Sequence, residues 1–100
     1  SSAIIRNNLI VSCNMGVGIK DSGSYAFIDQ NTFYGNKYGV AAFEKNQNAG
    51  GGTADVINCI FSKSVKKPLL VDSLSKIKVS YSLSDTKRLK GKGNMNFDPL

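Results

Sequence analysis

A chain of 100 residues, of which 41% are hydrophobic, is long enough to form one domain with a buried core, so intrinsic disorder is not expected. Its longest apolar stretches, at residues 3–5, 9–11 and 69–71, are too short to cross a membrane, so no membrane insertion is expected. The net charge of +6 lies within residues 61–100, because residues 1–60 carry four basic and four acidic side chains. A basic surface of this kind attracts anionic partners, although it can also simply keep a protein soluble.

Four segments of the chain share one pattern, and they begin at Ala3, Ala26, Ala54 and Ile77. We call them repeats 1 to 4 in chain order. In each repeat two apolar residues flank one variable residue, which is the alternation of a half-buried β-strand. The offsets between successive repeats are 23, 28 and 23 residues. The longer middle offset coincides with a polar, glycine-rich run, which predicts an inserted loop at residues 46–52.

The period of about 23 residues distinguishes a β-solenoid from other repeat architectures. Helical hairpin repeats need roughly 33 residues or more, and leucine-rich repeats need leucines at fixed positions together with a helical stretch. The sequence therefore predicts an all-β chain that forms a β-solenoid of about four coils of roughly 23 residues. We expect the coils at about residues 3–25, 26–53, 54–76 and 77–100, within a single segment, residues 1–100, of a longer domain.

Stacking the repeats assigns apolar residues to columns that face the interior. The predicted columns are Ala3, Ala26, Ala54 and Ile77; Ile5, Ile28, Val56 and Val79; and Ile10, Phe33 and Phe61, with Ser84 interrupting the last. A further inward column, after the next bend, is predicted to contain Ile19, Val40 and Leu69. Gly18 and Gly39 precede its first two members, and glycine suits a bend where a side chain would clash.

Asn8 and Asn31 fall in one column at the first bend of the repeat. Asparagine tolerates left-handed backbone geometry, and its amide both donates and accepts hydrogen bonds. Because buried bends leave backbone groups that need partners, we expect an asparagine ladder between neighbouring coils. Cys59 and Ser82 continue the column, and we expect Cys59 to be a buried substitute in this ladder. The axial separation of their coils predicts that Cys13 and Cys59 do not form a disulfide.

Four motifs accompany these columns. They are Ile5-x-x-Asn8-x-Ile10, Ile28-x-x-Asn31-x-Phe33, Asn36-x-x-Gly39-Val40 and the ending Gly93-Asn94-Met95-Asn96-Phe97-Asp98-Pro99-Leu100, which follows the turn Val79-Ser80-Tyr81-Ser82. In these motifs the chain resembles the right-handed parallel β-helix proteins of the pectate-lyase-like superfamily, and its ending resembles the closing segment of secreted bacterial members. The resemblance covers nearly the whole chain and implies a right-handed parallel β-helix. It does not specify a function, because this architecture hosts lyases, hydrolases, epimerases, adhesins and inert stalks.

The sequence contains no recognisable catalytic group of side chains. It has no histidine, which excludes histidine-based triads and the commonest transition-metal sites, and no cofactor or metal is expected. Stacking places Asp29 over Arg6 and Asp55 beside Lys78. We expect each of these two pairs to be an ion pair between coils, because opposite charges on neighbouring strands attract.

Basic and aromatic residues are the remaining candidates for ligand binding. Exposed tyrosines would offer flat faces to sugar rings, and exposed bases would attract acidic groups. The ligand-binding candidates are Lys87, Arg88, Lys90, Lys92, Tyr34 and Tyr38. Nucleic acid is not expected as a partner, because no aromatic residues are interleaved with the basic residues 87–92.

Two functions remain open from the sequence. The resemblance implies a secreted or bacterial cell-surface protein that binds or processes polysaccharide, with an acidic polysaccharide as the expected partner. If the longer protein is an enzyme, it would be a polysaccharide lyase or a glycoside hydrolase whose active site lies outside this segment. The alternative is a structural stalk or adhesin segment without carbohydrate chemistry. In both cases we expect upstream coils or another chain to cover the open N-terminal end.

Overall fold

The computed structural model describes residues 2–86 and 88–97, and these residues form β-strands and no helix. The strands are β1 (Ser2–Arg6), β2 (Leu9–Val11), β3 (Met15–Lys20), β4 (Tyr25–Asp29), β5 (Thr32–Tyr34), β6 (Tyr38–Phe43), β7 (Thr53–Ile57), β8 (Ile60–Ser62), β9 (Lys67–Val71), β10 (Lys76–Ser80), β11 (Leu83–Ser84) and β12 (Met95–Asn96). The predicted all-β class is confirmed for this part of the chain. Lys87 and the terminal Asp98, Pro99 and Leu100 lie outside the described residues.

The strands are arranged in three parallel sheets. Sheet A has the order β1-β4-β7-β10, sheet B the order β12-β11-β8-β5-β2, and sheet C the order β3-β6-β9. Parallel neighbours cannot be joined by a tight hairpin, so a long connection must separate them in the sequence. Here that connection is the path through the other two sheets, because the chain visits sheets A, B and C in turn from β1 to β11.

The register of sheet A is the one that the sequence offsets predict. Ala3, Ala26, Ala54 and Ile77 lie opposite one another, and so do Ile5, Ile28, Val56 and Val79. Ile28 and Val56, in the two middle strands, are 0% and 1% exposed. Burying a side chain of this size contributes roughly 1.5–3 kcal/mol to the free energy of unfolding. Ile5 is only partly buried, because β1 lies at an edge of the sheet.

Stacked aromatic rings fill the core beside sheet B. Phe33 and Phe61 lie opposite each other in the register, and Ile10 and Ser84 occupy the same column on either side. The two ring centroids are 4.8 Å apart, and the ring planes differ by 4°. This separation equals the usual spacing of neighbouring strands, so the parallel register itself stacks the rings. Both side chains are almost completely buried.

The predicted column in sheet C is confirmed for Val40 and Leu69, but its first member, Ile19, is wrong by two residues. Val40 lies opposite Val17 rather than Ile19, and on its other side it lies opposite Leu69. Ile19 pairs with Ala42 instead. Residues two apart in a strand face the same side, so Val17 and Ile19 both point into the core, where both are buried. The alternation of apolar residues therefore did not distinguish the two registers.

Two glycines let sheet C approach the stacked rings closely. A Cβ at Gly39 would lie 2.6 Å from a ring carbon of Phe61, and a Cβ at Gly16 would lie 2.8 Å from a ring carbon of Phe33. Gly18, which the sequence pattern had matched with Gly39, is exposed, and the nearest contact of a Cβ there would be 3.8 Å. Glycine is therefore required at residues 16 and 39, not at residue 18.

The turn between sheets A and B places one residue of each repeat in the left-handed region. The φ angles of Asn7, Gln30, Asn58 and Tyr81 are 59°, 55°, 53° and 49°. Residues other than glycine pay about 1–2 kcal/mol for this conformation, and asparagine pays less because its side chain bonds locally. These residues follow one another at the offsets of the repeats, so each repeat makes the same turn.

Replacing Gly39 by alanine should lower the free energy of unfolding by about 1–3 kcal/mol, because the new methyl group overlaps the buried Phe61 ring. The matched control is Gly18→Ala in the neighbouring strand, which should change stability by less than about 0.5 kcal/mol. Urea unfolding of both variants measures the difference. Equal losses for the two variants would contradict the close approach of sheet C to the rings.

Candidate functional site

A column of polar side chains joins the repeats at the turn between sheets A and B. The side-chain oxygen Oδ1 of Asn31 accepts a hydrogen bond from the backbone N–H of Asn8 at 2.9 Å and one from the Asn8 Nδ2 at 3.2 Å. The Asn31 Nδ2 donates to the carbonyl oxygen of Ile5 at 2.8 Å. Because Asn31 is 1% exposed, its amide replaces water as the partner of two backbone groups of the preceding repeat.

The same column continues towards the C-terminus. The Ser82 hydroxyl oxygen accepts a hydrogen bond from the backbone N–H of Cys59 at 3.1 Å. The Asn94 Oδ1 accepts one from the N–H of Ser82 at 2.9 Å. The repeat pattern of the sequence did not place Asn94 in this column. Asn94 follows Ser82 by only 12 residues, which is shorter than the period of the repeats. A usable signal is that each member of the column directly precedes a strand of sheet B.

Asn36 performs the same task at the next turn. Its Oδ1 accepts a hydrogen bond from the backbone N–H of Cys13 at 2.8 Å, and its Nδ2 donates to the carbonyl oxygen of Ile10 at 2.9 Å. Asn36 is 1% exposed, like Asn31. The two turns on either side of sheet B therefore use one amide each to bind repeat 2 to repeat 1, and both amides are structural.

The outer face of sheet A carries a shallow depression of about 270 Å³, which is lined by Tyr25, Phe27, Asp55 and Lys78 among others. The Tyr25 hydroxyl donates a hydrogen bond to the Asp55 Oδ2 at 2.7 Å. This bond, together with the nearby negative charge, raises the pKa of Tyr25 above its usual value. An aromatic ring, a carboxylate and an ammonium group thus lie on one exposed surface.

Only one of the two predicted ion pairs on this face is formed. The Arg6 Nε lies 3.2 Å from the Asp29 Oδ2, and the Arg6 guanidinium lies 5.9 Å from the centroid of the Phe27 ring. The predicted pair of Asp55 and Lys78 is wrong. The two residues are neighbours in the register, but Asp55 accepts the Tyr25 hydroxyl instead, which leaves the Lys78 ammonium to solvent.

Other carboxylates hold turns by accepting hydrogen bonds from backbone N–H groups. The Asp21 Oδ1 accepts a hydrogen bond from the backbone N–H of Lys45 at 2.6 Å, and the Asp72 Oδ2 accepts one from the N–H of Glu44 at 2.7 Å. These backbone donors are the main reason that the pKa values of Asp21 and Asp72 are lowered. Within the described residues, no group of three or more His, Cys, Asp or Glu side chains is placed to hold a metal ion.

Part of the predicted basic cluster lines a cavity of about 290 Å³ beside the edge strands β9 of sheet C and β10 of sheet A. Arg88 and Lys90, which flank the buried Leu89, line it together with Lys67 from β9. Lys67 was not among the candidates from the sequence. No sequence motif marks it, and only the register of β9 places it beside the cavity. Lys92 is exposed and does not line the cavity.

The two candidate tyrosines lie elsewhere. Tyr34 is exposed on β5 in sheet B, and Tyr38 is half-buried on β6 in sheet C. The Lys37 Nζ lies 5.8 Å from the centroid of the Tyr38 ring, an arrangement in which the cation is attracted to the ring. Tyr38 is the register partner of Lys67, but neither tyrosine lines the basic cavity. The structure therefore does not combine these tyrosines with the basic residues in one site.

The two cysteines are free, as the separation of their coils predicts. Cys13 is exposed, whereas Cys59 is 1% exposed within the core. Burial raises the pKa of the Cys59 thiol, because the thiolate would lose its hydration. The Cys59 Sγ lies 3.3 Å from the carbonyl oxygen of Ile57 and 3.6 Å from that of Ile28, so the thiol acts as a weak donor in the polar column.

Comparison of the chain with protein-family models, curated proteins and solved structures found no match. None of the described residues belongs to a helix that is long and apolar enough to span a membrane.

A thiol reagent should modify Cys13 in the native protein and reach Cys59 only after unfolding, because the buried Cys59 is protonated and inaccessible. Labelling followed by peptide mapping, with and without urea, checks this order. A Cys13→Ser variant is the control, and it should take up no reagent under native conditions. Comparable labelling of both thiols in the native protein, or a linked Cys13–Cys59 peptide, would contradict the register.

Proposed function

We propose that this chain is part of a right-handed parallel β-helix of about four coils, of the pectate-lyase-like kind, that binds acidic polysaccharide. The parallel register at offsets of 23, 28 and 23 residues supports the β-helix. The hand follows from the general preference of connections between parallel strands, about 98% of which are right-handed. The sequence resemblance supports a secreted or bacterial cell-surface location.

The outer face of sheet A is the observation that carries the binding proposal. Tyr25 and Phe27 lie two residues apart on β4, so both side chains stand on the outer face and offer apolar ring surface. The Asp55 carboxylate next to them accepts hydrogen bonds from hydroxyl groups, as it already does from Tyr25. A sugar ring has an apolar face and a rim of hydroxyl groups, and this surface offers a partner for each.

Lysine side chains favour an acidic sugar over a neutral one. Lys76 and Lys78 lie two residues apart on β10 and are both exposed on the same outer face. Neither forms an ion pair within the described part of the chain. Two ammonium groups beside an aromatic and hydroxyl-binding surface suit a polymer that carries carboxylates, and the attraction acts mostly through screened Coulomb forces.

We propose binding without turnover for this segment. Glycosidic cleavage by two carboxylates requires them to flank one bond, about 5–10 Å apart, with one of them protonated. Asp21 and Asp72 are occupied by backbone donors that favour their ionised forms, and Asp29 is paired with Arg6. The alternative function is a structural stalk or adhesin segment. The engagement of these carboxylates within the fold is compatible with it, and it is favoured if the outer face binds no glycan.

Polygalacturonate should bind the protein at about 10 mM salt and bind much more weakly at about 150 mM, because the screening length falls from roughly 30 Å to 8 Å. A neutral xylan should show little dependence on salt. The Lys76→Gln/Lys78→Gln variant should bind polygalacturonate about threefold to tenfold more weakly, since exposed charge contacts are worth up to about 1 kcal/mol each. Calorimetric titration measures the affinities, and reducing-end or unsaturated-product assays follow turnover.

The control is Lys20→Gln/Lys45→Gln, which removes the same charge from exposed positions outside sheet A and should retain wild-type affinity. Binding that does not depend on salt would contradict the acidic-polysaccharide proposal, and so would equal loss in both double variants. No binding at either salt concentration would leave the stalk function in its place. Release of product from either polymer would overturn the proposal of binding without turnover.

A further inference from the structure

The cavity at the repeat 4 end has an apolar floor made of core residues. Leu69 of β9 and Ile77 of β10 line it, and both are only partly buried. Their register partners in the preceding strands are Val40, which is 0% exposed, and Ala54, which is 4% exposed. The floor therefore continues the interior columns into the edge strands β9 and β10, where the next layer of side chains is incomplete.

Leu89 closes one side of this cavity, and the polar column fixes its position. The Asn94 Nδ2 donates hydrogen bonds to the carbonyl oxygens of Val79 at 3.2 Å and of Leu89 at 3.1 Å. At Gly91 the backbone has φ of 138° and lies so close to the Val79 carbonyl that no side chain would fit. The segment that carries Arg88, Leu89 and Lys90 is thus tied to the end of sheet A.

Three cations surround the floor, and no carboxylate is among the described residues that line the cavity. Arg88 and Lys90 flank Leu89 on one side, and Lys67 stands at the start of β9 on the other. All three side chains are exposed, and none forms an ion pair within the described residues. The cations come from two separate parts of the chain, so their convergence is a property of the fold and not of one basic run.

We propose that this cavity binds a small amphiphilic anion, a carboxylate with an unbranched apolar chain of about eight carbons. The apolar floor would take the chain, and the three cations would hold the carboxylate at the rim. The volume of about 290 Å³ corresponds to roughly ten atoms of the size of a water molecule. Octanoate has about that many non-hydrogen atoms, and longer chains would extend into solvent.

An acidic polysaccharide does not fit this chemistry. Its residues carry hydroxyl groups on most carbons, and burying hydroxyl groups against Leu69, Ile77 and Leu89 would cost hydrogen bonds that the floor does not replace. A second copy of the chain carries the same net charge of +6, so overall charge repulsion opposes its approach to the three cations. The cavity is therefore separate from the outer face of sheet A, and its ligand does not depend on the polysaccharide proposal.

The test is a titration of the 100-residue chain with sodium octanoate at pH 7, followed by the NMR signals of the methyl groups. Octanoate is ionised at this pH. We expect shifts at Leu69, Ile77, Val79 and Leu89, which saturate with one molecule per chain. Octan-1-ol, which has the same chain without the charge, should bind at the same place about threefold to tenfold more weakly. Acetate should cause no shift of these methyl groups.

Charge variants separate an anion site from a merely apolar one. In Arg88→Gln/Lys90→Gln the affinity for octanoate should fall towards that for octan-1-ol, with only Lys67 left to hold the carboxylate, whereas the affinity for octan-1-ol should not change. The control Lys20→Gln/Lys45→Gln removes two exposed charges far from these residues in the sequence and should leave both affinities unchanged. Polygalacturonate should not displace octanoate.

Several results would overturn the proposal. Equal affinity for octanoate and octan-1-ol would show that the cations play no part. No methyl shift at millimolar octanoate would show that the cavity does not bind such anions. Shifts that depend on protein concentration, without octanoate, would show that a second copy fills the cavity. Displacement of octanoate by polygalacturonate would show one shared anion surface.

Discussion

Hydrogen bonds between side chains and the backbone of the neighbouring repeat hold the turns of this protein in place. The column that begins at Asn8 and Asn31 and ends at Asn94 supplies these bonds beside sheet B, and its buried members, Asn31, Ser82 and Asn94, accept hydrogen bonds from backbone N–H groups of the turns. A buried N–H or C=O without a partner costs about 1–3 kcal/mol, so these turns depend on the column. The apolar columns can stack only because the turns repeat with the same geometry.

The two ends of the sheets differ in consequence. At the repeat 1 end, Ile5 lies in the edge strand β1 and Asn8 in the turn that follows it, and both are more exposed than their partners Ile28 and Asn31. At the other end, Asn94 extends the column by one layer and holds the segment with Leu89 over part of the core. The polar column therefore shapes the cavity, while the outer face of sheet A depends only on the strand register. Two candidate surfaces arise from one architecture.

The sequence predicted the parallel register of sheets A and B. Apolar residues equivalent to Ile28 and Phe33 occur in the neighbouring repeats at the same offsets, and residues at equal offsets lie opposite one another in parallel strands. It misplaced the first member of the sheet C column, since Val17 and Ile19 face the same side and alternation cannot tell them apart. It did not predict that Tyr25 binds Asp55, because a hydrogen bond between side chains depends on rotamers that no pattern encodes. Of the three basic residues at the cavity, the sequence predicted Arg88 and Lys90. It did not predict Lys67, because only the three-dimensional fold brings β9 next to them.

The most direct test of this account is the stability of an Asn31→Ala variant in urea. Removing this amide leaves the N–H of Asn8 and the carbonyl of Ile5 without their partner, and the free energy of unfolding should fall by about 2–4 kcal/mol. The exposed Asn14 provides the control, and Asn14→Ala should cost less than about 0.5 kcal/mol. Losses of equal size in the two variants would contradict the claim that the polar column holds the repeats together.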